Sequence, residues 1–146
     1  MSASLYVECW QEVAKHKWIE SQKFGFDLGD RAIRDWFRRH WSIFCRAACL
    51  EHLAGIRPWI EFPDEDYGVL NDLRTAGDGG LLPWVLERAW RGRENLDMIC
   101  EAQDSGLPMA DVLQILELMN LNRARLDAPS DGPPQFAPPR TLRNPE

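Results

Sequence analysis

From Arg31 to Leu53 the chain reads "RAIRDWFRRHWSIFCRAACLEHL", with no glycine or proline, and this segment limits the fold more than any other. At 100° per residue, Ala32, Ile33, Trp36, Phe37, His40, Trp41, Ile43, Phe44, Ala47 and Leu50 form a broad apolar sector. Arg31, Arg34, Arg38, Ser42, Cys45, Arg46 and Cys49 occupy the other side. A helix with so wide an apolar sector belongs at the centre of a helical core. His40 falls inside that sector, where a histidine is expected as a hydrogen-bonded core residue.

Punctuation on either side divides the rest of the chain. A periodic segment from Leu5 to Lys23 opens after Ser4, an N-cap residue type, with Tyr6, Val7, Trp10, Val13, Ala14 and Trp18 on one face. Cys9, Glu12, His16 and Glu20 share the opposite face. "FGFDLGD" reads as a loop whose Asp30 caps the next helix, and Gly55 ends that helix. "IRPWIEFPDEDYG" is interrupted by Pro58 and Pro63 and reads as an ordered loop pinned by Trp59 and Phe62. Three further helices are predicted: 64–75, 82–104 with Pro83 in the first turn, and 108–120 with an extension towards 126.

The expected fold is therefore all-α, a compact bundle of about five helices in a domain spanning 1–127. The last 19 residues, 128–146, hold six of the ten prolines and only two large apolar residues. Such a segment buries too little surface to offset its ordering entropy, and it is predicted to be a disordered Pro-rich tail. Within it "PPQFAPPR", with Phe136 between proline pairs and Arg140 after them, has the form of a polyproline recognition segment.

No run approaches the roughly 18 apolar residues that span a bilayer, and "MSASLYVECWQ" lacks a basic stretch followed by an apolar one. A cytoplasmic protein is expected. The four cysteines include no CxxC pair and read as reduced thiols. A net charge of −6 argues against nonspecific affinity for nucleic acid or an anionic membrane, so any such binding would need a local patch.

One such patch is visible, with five arginines against one aspartate between residues 31 and 46. It suits a carboxylate-rich or phosphate-bearing partner. The internal alternative is that the four carboxylates of "EFPDEDYG" lie across the helix as an ion-pair network. The expected contact face is Arg31, Arg34, Arg38 and Arg46, with Trp59 near its edge.

Other chemistries compete for the same helix. Cys45, Cys49 and His52 recur about a turn apart and have ligand types that suit zinc or another transition metal; Cys9, Glu12 and His16 form a similar stripe. Arg38 and Arg46 flank Cys45, and positive charge nearby would lower its thiol pKa towards redox activity. Further along, "EAQDSGLPMADVLQIL" places Ala102, Gly106, Leu107, Val112 and Ile115 as a helix-turn-helix does, a DNA-binding alternative near 99–116. Its outward positions, Met109, Ala110, Asp111, Gln114 and Glu117, offer a groove two carboxylates and no cation. Hydrolase and nucleotide signatures are missing: there is no GxSxG, no HExxH and no phosphate-cradling glycine loop. "DEDYG" has the wrong spacing for a calcium loop, with Thr75 where the bidentate glutamate would stand.

The stretch "HKWIESQKFGFDLG" resembles a short segment of uncharacterised bacterial proteins of the domain-of-unknown-function 4032 group, through His16, Trp18, Ser21, Gly25, Asp27 and Gly29. It departs at Gln22 and Leu28. The resemblance implies a bacterial origin and a helix-loop-helix module, and no activity. The residues themselves suggest turn chemistry, with Ser21 bonding near the helix end, the glycines permitting the turn and Asp27 accepting backbone donors. The combined expectation is a small accessory, adaptor or regulatory protein without a cofactor, which binds an acidic surface of another protein; self-association is compatible with the same face.

Overall fold

A computed structural model describes residues 3–75 and 80–129. Six α-helices and two 3₁₀ turns make up its regular structure, and no strand occurs among the described residues. Helix α1, Leu5–Phe24, starts at Ser4, whose hydroxyl accepts the Tyr6 N–H at 3.2 Å. Glu61 completes this start from 56 residues away: its carboxylate accepts the Leu5 N–H at 2.8 Å and the Ser4 hydroxyl at 2.6 Å. A carboxylate at the positive end of a helix satisfies orphan donors and opposes the macrodipole. Glu61→Ala should therefore lower unfolding free energy by about 1–2 kcal/mol, measured by urea denaturation.

At its other end α1 stops at Gly25, whose φ of 81° is open to glycine at little cost. The reversal is then built from side chains: Ser21 Oγ accepts the Leu28 N–H at 3.1 Å, and Asp27 Oδ1 accepts the Gly29 N–H at 2.9 Å. Helix α2, Asp30–Leu53, follows directly. Its N-cap is Gly29, at φ 59°, with no side-chain cap; Asp30, expected as the cap, is the first helical residue.

Helices α1 and α2 run antiparallel, with Tyr6 against Trp41, Trp10 against Phe37 and His16 against His40. Between them Cys9, Trp10, Val13, Trp36, Trp41 and Cys45 form one buried cluster. The loop after α2 returns to the N-terminus, where the Ile60 N–H donates to Ala3 O at 2.9 Å. It then makes a 3₁₀ turn, Asp64–Asp66, and enters α3, Val69–Thr75, so the helix expected over 64–75 is interrupted by Gly68 at φ 75°.

The helix expected over 82–104 is two helices, α4, Leu81–Trp90, and α5, Asn95–Asp104. Gly92 at φ 87° breaks the continuity, and side chains hold the break. Arg46 of α2 donates to Arg93 O at 2.5 Å and to Glu94 at 3.0 Å, and Arg88 of α4 forks onto Glu101 of α5 at 2.9 and 2.6 Å. Helix α6, Met109–Met119, ends at Asn120 in the left-handed region at φ 41°, and a 3₁₀ turn, Leu121–Ala124, replaces the expected extension.

The main core joins the inner end of α2 to the later helices through Leu50, Leu53, Leu70, Leu82, Val85, Met98, Val112 and Met119. Just past α6 the chain is tied back to the hairpin. The Trp41 indole donates to Leu126 O at 2.7 Å and the Tyr6 hydroxyl to Asp127 O at 2.9 Å. The predicted disorder over 128–146 falls, from 130 onward, outside the described residues.

Candidate functional site

Burial within the α1–α2 hairpin is uneven. The buried residues of α1 are Leu5, Cys9, Trp10 and Val13, so its outer half buries none. Several large apolar side chains stand exposed there, Trp18 at 66%, Phe24 and Phe26 at 58% each, and Ile19 at 47%. Phe24 and Phe26 touch edge to face across Gly25.

Beside them lies a cleft of about 520 Å³, walled by Glu20 and Phe24 of α1, Leu28 of the reversal, and Arg31, Ala32, Arg34, Asp35, Arg38 and Arg39 of α2. Asp35 is the internal counter-ion. Arg38 and Arg39 each reach its Oδ1 at 2.9 Å, and His16 Nε2 lies 2.9 Å from its Oδ2. Partial burial pushes the Asp35 carboxyl up, but the hydrogen bonds from His16 and Arg38 and the Arg39 charge outweigh it and hold it below the usual carboxylate range. Its contribution to stability is therefore complete above the unfolded-state pKa of about 3.9 and is lost as pH falls through the lower folded value.

Arg31 and Arg34 differ from their neighbours. Both are exposed, and among the described residues neither has a carboxylate within ion-pair distance. They also lie in the first two turns of α2, where the macrodipole favours anions. Helix stability does not account for two cations at that end. Charge is segregated on a larger scale as well. Residues 15–39 hold seven basic and four acidic side chains, which leaves ten basic and nineteen acidic for the remainder of the chain.

The expected contact face is thus partly assembled. Arg31, Arg34 and Arg38 share the cleft with Arg39. Arg46 is not with them, because its guanidinium, 14% exposed, is committed to the α4–α5 junction. Trp59 is a core residue, 3% exposed, with its indole on Glu51 at 3.3 Å and the Arg57 guanidinium 4.4 Å above its ring. The acidic loop does not cross the arginine face: Glu61 caps α1, and Asp66 pairs with Arg123. Phe24, Phe26 and Leu28 were absent from the expected face, although "FGF" at a helix end was the available signal.

Of the α1 stripe considered for a metal, Cys9 is buried while Glu12 is 45% exposed and pairs with Lys15; the three α2 candidates are all inside the protein. Cys45 lies in the α1–α2 cluster and Cys49 in the main core, both fully buried. His52 is fully buried with both ring nitrogens engaged: Nδ1 accepts the Trp59 N–H at 3.0 Å, and Nε2 lies 2.8 Å from Pro63 O. That arrangement suits the neutral tautomer with the proton on Nε2 and uses the lone pair a metal would need. Among the described residues no group of three or more His, Cys, Asp and Glu side chains is placed to hold a metal ion.

Burial also reverses the expected thiol chemistry. Desolvation pushes the Cys45 thiol up to about 12, Cys9 to about 12 and Cys49 to about 11. Since the thiolate is the reactive form, a disulfide-exchange reagent at neutral pH should titrate one thiol of the folded protein, exposed Cys100, and four after denaturation.

The α5–α6 corner has the packing read from its sequence. Gly106 turns at φ 71°, and Ala102, Val112 and Ile115 are buried beneath it. Asp111, Gln114 and Glu117 face outward, an acidic surface that repels phosphates.

No protein-family model, curated protein or solved structure matches the chain. No helix of the described residues is long and apolar enough to cross a membrane.

Proposed function

We propose that the protein acts as an accessory or adaptor protein that binds an acidic surface of another protein through the outer end of the α1–α2 hairpin. One observation carries this reading: Arg31 and Arg34 stand exposed and without an ion-pair partner among the described residues, at the end of a helix that disfavours cations. Local rules broken without a structural return are where function is expected. Tryptophan and arginine also dominate interface hot spots, and Trp18 at 66% exposure lies on the same hairpin end.

Arg38 and Arg39 support the contact indirectly. They share the single carboxylate of Asp35, which holds them against the cleft wall and offsets part of their charge, and the cations of the cleft left unpaired among the described residues are Arg31 and Arg34.

Native mass spectrometry of the protein isolated gently from its host tests the reading. A heavier complex that dissociates as salt is raised supports it, since contacts between charged rims weaken with ionic strength. A bare chain at every salt concentration, with no protein bound, contradicts it.

A further inference from the structure

We infer that the partner docks with an acidic amphipathic helix, which presents two carboxylates one turn apart around an apolar side chain to the cleft between the end of α1 and the start of α2. This rests on the proposed binding function and specifies the shape and chemistry of the partner. Arg31 and Arg34 are three positions apart on one helix, which places their Cβ atoms roughly 5–6 Å from each other. Carboxylates at i and i+3 or i+4 of a facing helix have the same spacing, and each guanidinium can fork onto one of them.

The cleft supplies the rest of the fit. Phe24, Leu28 and Ala32 give an apolar wall to this cleft of about 520 Å³. A nucleic acid, with a phosphate at every nucleotide, would also face the remainder of the chain, where nineteen acidic side chains stand against ten basic ones. β-Strand addition needs a sheet edge, and the described residues contain no strand. Helix-in-groove recognition matches an apolar wall bordered by two cations one turn apart.

Charge favours the same occupant. The hairpin end is net basic while the remainder carries nineteen acidic against ten basic side chains. An acidic helix is therefore attracted to the cleft and repelled elsewhere, and two hairpin ends repel each other.

The test uses the full chain and a fluorescent, helix-forming peptide of about 20 residues with two glutamates flanking a leucine one turn apart. A second peptide replaces both glutamates with glutamine. Fluorescence anisotropy at low salt should show the glutamate peptide binding about tenfold more tightly. That preference should vanish with Arg31→Gln plus Arg34→Gln, whose melting curve should match wild type, and Phe24→Ala should weaken binding of both peptides. Equal affinity for the two peptides overturns the inference, as does a preference that survives in the double variant. A chain that ignores the peptides but binds vesicles rich in anionic phospholipid, or that reversibly self-associates through Arg31 and Arg34 in sedimentation, also overturns it. If the native complex is lost on charge reversal at Arg31 and Arg34 while both peptides bind equally, the adaptor reading survives and the acidic-helix inference fails.

Discussion

Arg31→Glu combined with Arg34→Glu should weaken partner binding by about 100-fold or more and leave the helical circular dichroism and melting temperature essentially unchanged. Each reversal removes a charge-assisted bond to the partner and puts a carboxylate where the partner's own carboxylates must approach. The fold should tolerate the change because glutamate near the start of α2 runs with the macrodipole, whereas arginine runs against it. Neither side chain holds an ion pair that its loss would break. Isothermal titration with the partner identified by mass, beside a thermal melt, separates binding from folding. A complex of undiminished affinity removes these residues from the interface.

His52→Ala should cost about 3–4 kcal/mol of unfolding free energy. His52 is fully buried, with Phe62 and Tyr67 ring centroids 5.6 and 5.4 Å from its own. Truncation leaves a cavity between these rings and strips the Trp59 N–H and Pro63 carbonyl of their partner. A buried donor without an acceptor is penalised in addition to the lost packing. Because the loop carrying Trp59, Phe62 and the capping Glu61 is anchored through this ring, the start of α1 should loosen with it. Urea denaturation measures the loss, and hydrogen exchange at Leu5 and Tyr6 reports the loosening. A loss below about 1 kcal/mol would show that the histidine does not anchor the loop.

The two histidines of α2 show how far a helical wheel reaches. The wheel places His40 in the core and groups His52 with Cys45 and Cys49 as candidate ligands. In the structure His40 is half-buried against His16 and Trp36, while His52 is sealed under the 56–67 loop. Cys45 and Cys49 moved in the same direction. They were grouped with the arginines by angle, but a small thiol packs readily where a guanidinium does not, and both are fully buried. On α1 the exchange is partial: Cys9 is buried and Val7 and Trp18, from the apolar face, are exposed at 62% and 66%, while Trp10 and Val13 of that face are buried. Periodicity locates a face to within about a third of a turn; the neighbours decide which edge of it is covered.

The sequence by itself determined what depends on neighbours along the chain. It specified an all-α chain, the extents of α1 and α2, the Ser21–Asp27 reversal between them and the glycine corner joining α5 to α6, because capping, turn chemistry and helical period act within a few residues. Even so, Gly92 does not by itself signal a break, since one glycine costs a helix only about 1 kcal/mol, and Arg46 from α2 and Arg88 from α4 stabilise it. Only the tertiary structure decided which arginines were available. Arg46 loses its freedom to a carbonyl 47 residues away, whereas Arg38 and Arg39 meet Asp35 three and four positions back on the same helix, and Arg31 and Arg34 keep theirs because no carboxylate of another described segment reaches them. Burial and long-range pairing are settled by which segments meet in space, and no local pattern carries that information.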